Sequence, residues 1–270
     1  MAQNNILYPL IFIILVLVIS WAYTVFLFLK SERAQDYRWI IGMMGIPACV
    51  ALSVSFYQGK TLSQVIAPLS GYLNVSTIVF AIFYPLIFIS ACAMIAKLSG
   101  LAKVNTKKLK SLLSVPSLTL FLVGVAAVFG EEYGWRGYLL PEITRSRGPL
   151  IATVIVGIVW ALWHGPLVFG LSKLMRVRHP WHVCLVQMGS VFMLSFPFAY
   201  MYYMTQSIIA PMIFHYMWNR YNLRVLGNIY HNKPGIIEGN VLLINGEGAL
   251  GMLLGLGFML WFVFASPCGM

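Results

Sequence analysis

The stretch Val128 to Ile143, VFGEEYGWRGYLLPEI, ends an apolar run with two adjacent carboxylates, Glu131 and Glu132, followed by Arg136. On a helix Glu132 and Arg136 stand at i and i+4 and share a face, while Glu131 is turned about 100° away. One carboxylate can pair with the guanidinium and leave the other directed elsewhere. The two carboxylates repel each other, and Arg136 offsets that repulsion, which gives it a supporting role. A purely structural ion pair near a helix end fits the same pattern.

Two further polar motifs lie in apolar surroundings. WALWHGP places His164 four residues after Trp160, on its face, and the following Gly165-Pro166 predicts a local break in the helix that admits water. FHYMWNR places His215 and Asn219 at i and i+4, so both point the same way. Each has a structural reading, as a core histidine and as an interhelical hydrogen-bonding pair. His179, His182 and His231 fall in loops and carry no assigned chemistry.

A free carboxylate, two imidazoles and a carboxamide are the parts of water-mediated hydrolysis. Glu131 can take a proton from water, His164 can orient that water and pass a proton on, and His215 with Asn219 can donate hydrogen bonds to an oxyanion. Inside a membrane the peptide carbonyl is the natural target. An aspartyl mechanism needs two aspartates in the membrane, and Asp36, the sole aspartate, lies in a loop. Neither an H-E-x-x-H zinc motif nor a G-x-S-x-G nucleophile elbow occurs. A metal held by Glu131, His164 and His215 stays chemically open.

The elements that must position these groups are membrane helices. The chain has 270 residues, of which 60% are hydrophobic and 9% charged, with a mean hydropathy of +0.83. Those values exclude a soluble domain and predict an integral, multi-pass, all-α protein with the bilayer as its solvent. Against the roughly 20 residues a spanning helix needs, runs near 6-29, 38-57, 73-96, 112-141, 149-171, 183-203, 206-223 and 246-264 predict eight transmembrane helices around a polar cavity. The first run is longer than a signal-peptide core and has no preceding Lys or Arg, so it is expected to remain as a helix. With no repeat and no linker, the chain reads as one domain, 1-270, with its motif core at about 128-220. Prolines 47, 85, 116, 166, 197 and 211 lie in or near spans and predict bent helices whose freed carbonyls are satisfied by neighbours.

Measured from the face shared by the fourth and sixth loops, helix rise puts Glu131 about 16 Å deep, His164 about 22 Å, His215 about 13 Å and Asn219 about 19 Å, within one layer. Of the 18 Lys and Arg, fourteen fall in the odd-numbered loops, which puts both termini outside by the positive-inside rule. The net charge of +11 is dispersed among short loops, so lipid contact and topology explain it and a nucleic-acid partner does not. Lys97, Lys103, Lys107, Lys108 and Lys110 form the densest cluster, in the third loop with no acid among them, and read as a solvated segment touching anionic lipid. Cys49, Cys92, Cys184 and Cys268 form no C-x-x-C pair and read as packing residues; the terminal Pro-Cys-Gly-Met has its Cys third from the end and is no lipidation signal.

Together EEYGWR (131-136), WALWH (160-164) and HYMWN (215-219) resemble the motifs E-E-x-x-x-R, F-x-x-x-H and H-x-x-x-N of the CaaX protease and bacteriocin-processing superfamily. Trp160 stands where that family usually has Phe. The resemblance covers about 128 to 220 and implies a metal-independent glutamate protease of eight helices around a water-accessible cavity, requiring no cofactor. It assigns Glu131 and His164 to water activation, His215 and Asn219 to the oxyanion site, and Glu132 and Arg136 to their support. In the Ras-converting branch the site faces the cytosol and removes the last three residues of a prenylated C-a-a-X sequence. Other relatives serve peptide maturation, bacteriocin immunity or signalling, so substrate class does not follow from the motifs. The expected partners are membrane lipid and a prenylated or otherwise hydrophobic peptide.

The loop count puts the face nearer the polar layer outside, against that cytosolic facing; a re-entrant segment around Gln58-Gly71 would shift the parity. The competing class is a non-enzymatic binding, immunity or transport-accessory protein that keeps the polar cluster for hydrogen bonding.

Overall fold

The computed structural model describes residues 6–30, 33–34 and 36–265. Cys268 and the terminal Pro-Cys-Gly-Met lie outside the described residues. Long helices dominate: α1 (Leu7–Phe28), α2 (Tyr37–Tyr57), α3 (Val75–Leu98), α4 (Leu118–Glu132), α5 (Leu140–Arg147), α6 (Pro149–Leu174), α7 (Pro180–Thr205), α8 (Ile209–Val225) and α9 (Ala249–Ala265). A π-helical turn, Tyr133–Leu139, fuses α4 to α5. Helix starts follow the capping rules. Asn74 Oδ1 accepts from Thr77 N at 2.7 Å before α3, Ser117 Oγ accepts from Leu120 N before α4, and Thr61 and Gln64 form a reciprocal capping box on the short helix Leu62–Ile66.

Seven of the described helical stretches are long and apolar enough to cross a membrane, and the chain is an integral, multi-pass membrane protein. The expected span at 206-223 is not among them, because α8 has 17 residues and carries His215, Asn219, Arg220, Asn222 and Arg224. At 1.5 Å per residue it is about 25 Å long, short of a hydrocarbon core of about 30 Å. Surrounding helices make up for its polarity: α8 packs on α3, α4 and α7. Phe214 and Trp218 stack within an aromatic wall with Phe80, Tyr84 and Phe88 of α3.

Contacts among the connectors sort them into two sets. Ile208 N donates to Pro68 O and Lys60 pairs with Glu142, which joins the second, fourth and sixth loops. On the opposite side Ala102–Val104 pairs antiparallel with Ile237–Gly239, joining the third and seventh loops. The lysine-rich third loop is therefore structured: Lys108 reaches Glu238 at 3.0 Å, so the acid it lacks in sequence comes from the facing strand. Gln58–Gly71 forms a small cap of helical turns whose Val65 carbonyl accepts from Tyr133 Oη at 2.8 Å. α8 runs from the even-loop side to the odd-loop side between α7 and α9.

The expected break at Gly165-Pro166 is not found, and α6 is continuous through Pro166. Proline leaves the carbonyl four residues earlier, Leu162 O, without its donor. Trp21 Nε1 of α1 donates to that carbonyl at 3.3 Å. The helices carrying Pro47, Pro85 and Pro197 are continuous as well. Pro47 of α2 is also a point of close approach, since any Cβ at Gly134 would collide with it. Cys49, Cys92 and Cys184 are free thiols, the latter two buried in packing as expected.

Candidate active site

The π turn begins immediately after the paired carboxylates, a position where such turns recur at functional sites. Glu131, Glu132 and Arg136 are all buried, the last two completely. Arg136 Nη1 sits 3.2 Å from both oxygens of Glu132, and its guanidinium lies 4.2 Å from the Trp160 ring and 4.3 Å from the Phe198 ring. A buried ion pair needs further partners to offset desolvation, and the two aromatic faces supply cation–π contacts.

His215 Nδ1 lies 2.7 Å from Glu132 Oε1. The carboxylate that pairs with Arg136 thus also holds the α8 imidazole. Sequence spacing predicts the Glu132–Arg136 pair but not this bond, because no pattern within one helix reports a partner 83 residues away. Glu131 is directed elsewhere, as the helical angle requires, and its Oε2 accepts from Trp160 Nε1 at 2.9 Å.

On α6, His164 Nδ1 lies 2.9 Å from the Trp160 carbonyl oxygen. A carbonyl only accepts, so Nδ1 carries the hydrogen, and the neutral ring keeps its lone pair at Nε2. Trp163, anchored by its Nε1–H to Ser20 Oγ at 2.7 Å, packs edge-on against the same imidazole. Trp160 meets both His164 and His215 edge-on.

Glu131, His164, His215 and Asn219 line one cavity. Asn219 is partly exposed there, and its side chain makes no hydrogen bond among the described residues. Glu132 and Arg136 lie behind the wall. Met43 and Met44 of α2, Leu167 and Leu171 of α6, and Val191 and Leu194 of α7 give the cavity apolar flanks. Its remaining wall comes from the seventh loop, through Asn228, Tyr230, His231 and Glu247. The cavity therefore extends from the polar layer toward the odd-numbered loops, a direction that the sequence left open. Depth in a helix says how far a residue lies from each face but not which way the space beside it runs.

His231, assigned nothing by the sequence, stands on this wall. Burial and then the nearby Lys233 ammonium hold its imidazole below the usual histidine range, so it is neutral at pH 7. Glu247 was equally overlooked, although a Gly-Glu-Gly at the mouth of an apolar run is a visible signal. Among the described residues no group of three or more His, Cys, Asp and Glu side chains is arranged to hold a metal ion.

Residues 113–221 match the family described as Type II CAAX prenyl endopeptidase Rce1-like. A 50-residue stretch is 46% identical to CAAX prenyl protease 2 of Methanococcus maripaludis, covering 18% of this chain and 18% of that protein. The match thus spans about a fifth of the curated relative's length.

Proposed function

We propose that this chain, whose residues 113–221 match the Rce1-like family, is an intramembrane glutamate endopeptidase that hydrolyses a peptide bond near the membrane surface and removes the C-terminal tripeptide of prenylated C-a-a-X substrates. The observation that carries the reading is the pair Glu131 and His164 on one cavity wall, each with one polar atom tied down and another left for chemistry.

Glu131 accepts a proton from the attacking water. Trp160 fixes one carboxylate oxygen and so limits the carboxylate's rotation, which is how a general base is held for a defined proton. The lone pair at His164 Nε2 accepts a hydrogen bond from the same water and aims its oxygen at the scissile carbonyl. As the tetrahedral intermediate forms, charge develops on the carbonyl oxygen. His215, with Nδ1–H engaged by Glu132, presents an N–H at Nε2 when protonated, and Asn219 contributes its amide N–H. The proton taken from water is then delivered to the departing amine, through Glu131 or His164.

Arg136 holds Glu132 in place, so that Glu132 orients His215 while Glu131 stays available. The apolar flanks suit a hydrophobic segment, and the matched family name supplies the prenylated class. The whole sequence, 1-270, acts as one domain in this reading.

Glu131→Ala and His164→Ala test it against a farnesylated C-a-a-X peptide, with products mapped by mass spectrometry. Both variants should retain the wild-type thermal midpoint in detergent and release no tripeptide above background. Turnover retained by either removes the role proposed for that residue, whereas a missing tripeptide with the wild-type protein removes the proposed substrate.

A further inference from the structure

Glu247 is a second carboxylate on the cavity wall, and it lies outside residues 113–221, the segment that matches the family. It is 8% exposed. Trp218 Nε1 reaches its Oε1 at 3.2 Å, while Gln187 Nε2 and Tyr230 Oη reach Oε2 only at 3.4 Å. All three partners are neutral, and among the described residues no Lys, Arg or His forms an ion pair with Glu247. Contacts of 3.4 Å are long for hydrogen bonds to a carboxylate, so Oε2 keeps acceptor capacity. Beside it Gln187 Oε1 is buried without a donor. One buried acceptor in this corner is unmet, and no cation touches Glu247, although His215 acts on it electrostatically when protonated.

The loop that delivers Glu247 is built for the purpose. Asn222 Nδ2 donates to Asn245 Oδ1 at 2.8 Å, Asn245 Nδ2 donates to Gly227 O, and Asn245 Oδ1 accepts from Glu247 N at 2.9 Å. Asn222 Oδ1 accepts from Gly246 N, which ties the loop to α8. Only Gly at 251 lets the first turn of α9 approach the Gly246 carbonyl. A carboxyl held in a buried corner either keeps its proton or calls for a compensating positive charge.

We propose that Glu247 is a specificity subsite for a basic side chain of the substrate, Lys or Arg, placed a few residues to the N-terminal side of the scissile bond. The inference rests on the endopeptidase reading, because the cavity it shares with Glu131 is the one that holds the peptide. Its place on the seventh-loop wall assigns it the N-terminal side: the chain leading from a water-soluble part of the substrate enters past that wall, while the reacting bond lies deeper, beside Glu131.

The test uses farnesylated, internally quenched C-a-a-X peptides with Lys, norleucine or Glu at one position, scanned over the four residues before the prenylated cysteine. Wild-type protein should show a kcat/KM ratio of Lys to norleucine of at least about ten at one position, with the Glu peptide the poorest there. In Glu247→Gln that ratio should collapse to within about twofold of one, whatever the absolute rate. In parallel, fluorescence anisotropy measures peptide affinity in a Glu131→Gln background with and without Glu247→Gln; the Lys preference should appear and disappear in the same way. Ratios within twofold at every position in the wild type overturn the inference without needing a folded variant, as does a preference that survives Glu247→Gln. Absence of cleavage of every peptide counts against the endopeptidase reading, and the anisotropy ratios then decide the subsite separately.

Discussion

Glu131 and Glu132 are chemically identical neighbours with opposite assignments, and geometry alone separates them. Glu132 faces Arg136 and His215, whereas Glu131 faces the cavity with one oxygen on the Trp160 indole. The indole bond gives Trp160 a task that the family's usual Phe cannot perform. Trp160→Phe deletes a buried hydrogen bond to a carboxylate, for which about 1.5 to 3 kcal/mol is typical, so kcat should fall about 10- to 100-fold with KM little changed. Steady-state kinetics checks this, and equal loss in the thermal midpoint and in kcat would reduce Trp160 to a packing residue. Asn219→Asp replaces an N–H donor by an acceptor at the proposed oxyanion site; the expected loss in kcat is at least about 10²-fold, read in the same assay. The residue types of the site and the i, i+4 pairs were legible in the sequence because a helix fixes them locally. The bonds from Glu132 to His215 and from Glu131 to Trp160 join separate helices, and no spacing encodes them.

At the scale of elements, the site is held by α4, α6 and α8, and each is secured in its own way. Gly134 lets the π turn lie against α2, so Gly134→Leu should drive the two apart and lower the thermal midpoint by the equivalent of about 1 to 3 kcal/mol. For α6, Trp21→Phe leaves Leu162 O without the donor that compensates Pro166; the expected cost is about 1 kcal/mol, measured by thermal unfolding in detergent. The positions of the helices were readable from apolar runs, yet continuity through Pro166 was not. The signal Gly165-Pro166 is local, whereas its compensation comes from a tryptophan on another helix. The π turn was equally hidden, since α4 through α5 reads as one apolar run ending in charges.

For the whole molecule, the two sets of connectors divide the basic residues very unequally. Counting helix ends with the connectors they adjoin, the even-loop side holds Lys60, Arg145 and Arg147, and the odd-loop side holds fourteen Lys and Arg. Retention of the basic set in the cytosol makes the cavity, whose outer wall is the seventh loop, accessible from that side. With the native cysteines replaced, a cysteine at Lys110 should react with an impermeant maleimide only from the cytosolic face, and one at Ser70 only from the opposite face. The reverse pattern would contradict the orientation. The measurement that reaches the central claim most directly is cleavage of a farnesylated C-a-a-X peptide by purified wild type and Glu131→Gln, each with and without excess chelator. Turnover that survives the chelator and is lost, by at least about 10²-fold, in Glu131→Gln is the predicted result. Turnover abolished by the chelator, or retained by Glu131→Gln, would contradict hydrolysis by this carboxylate.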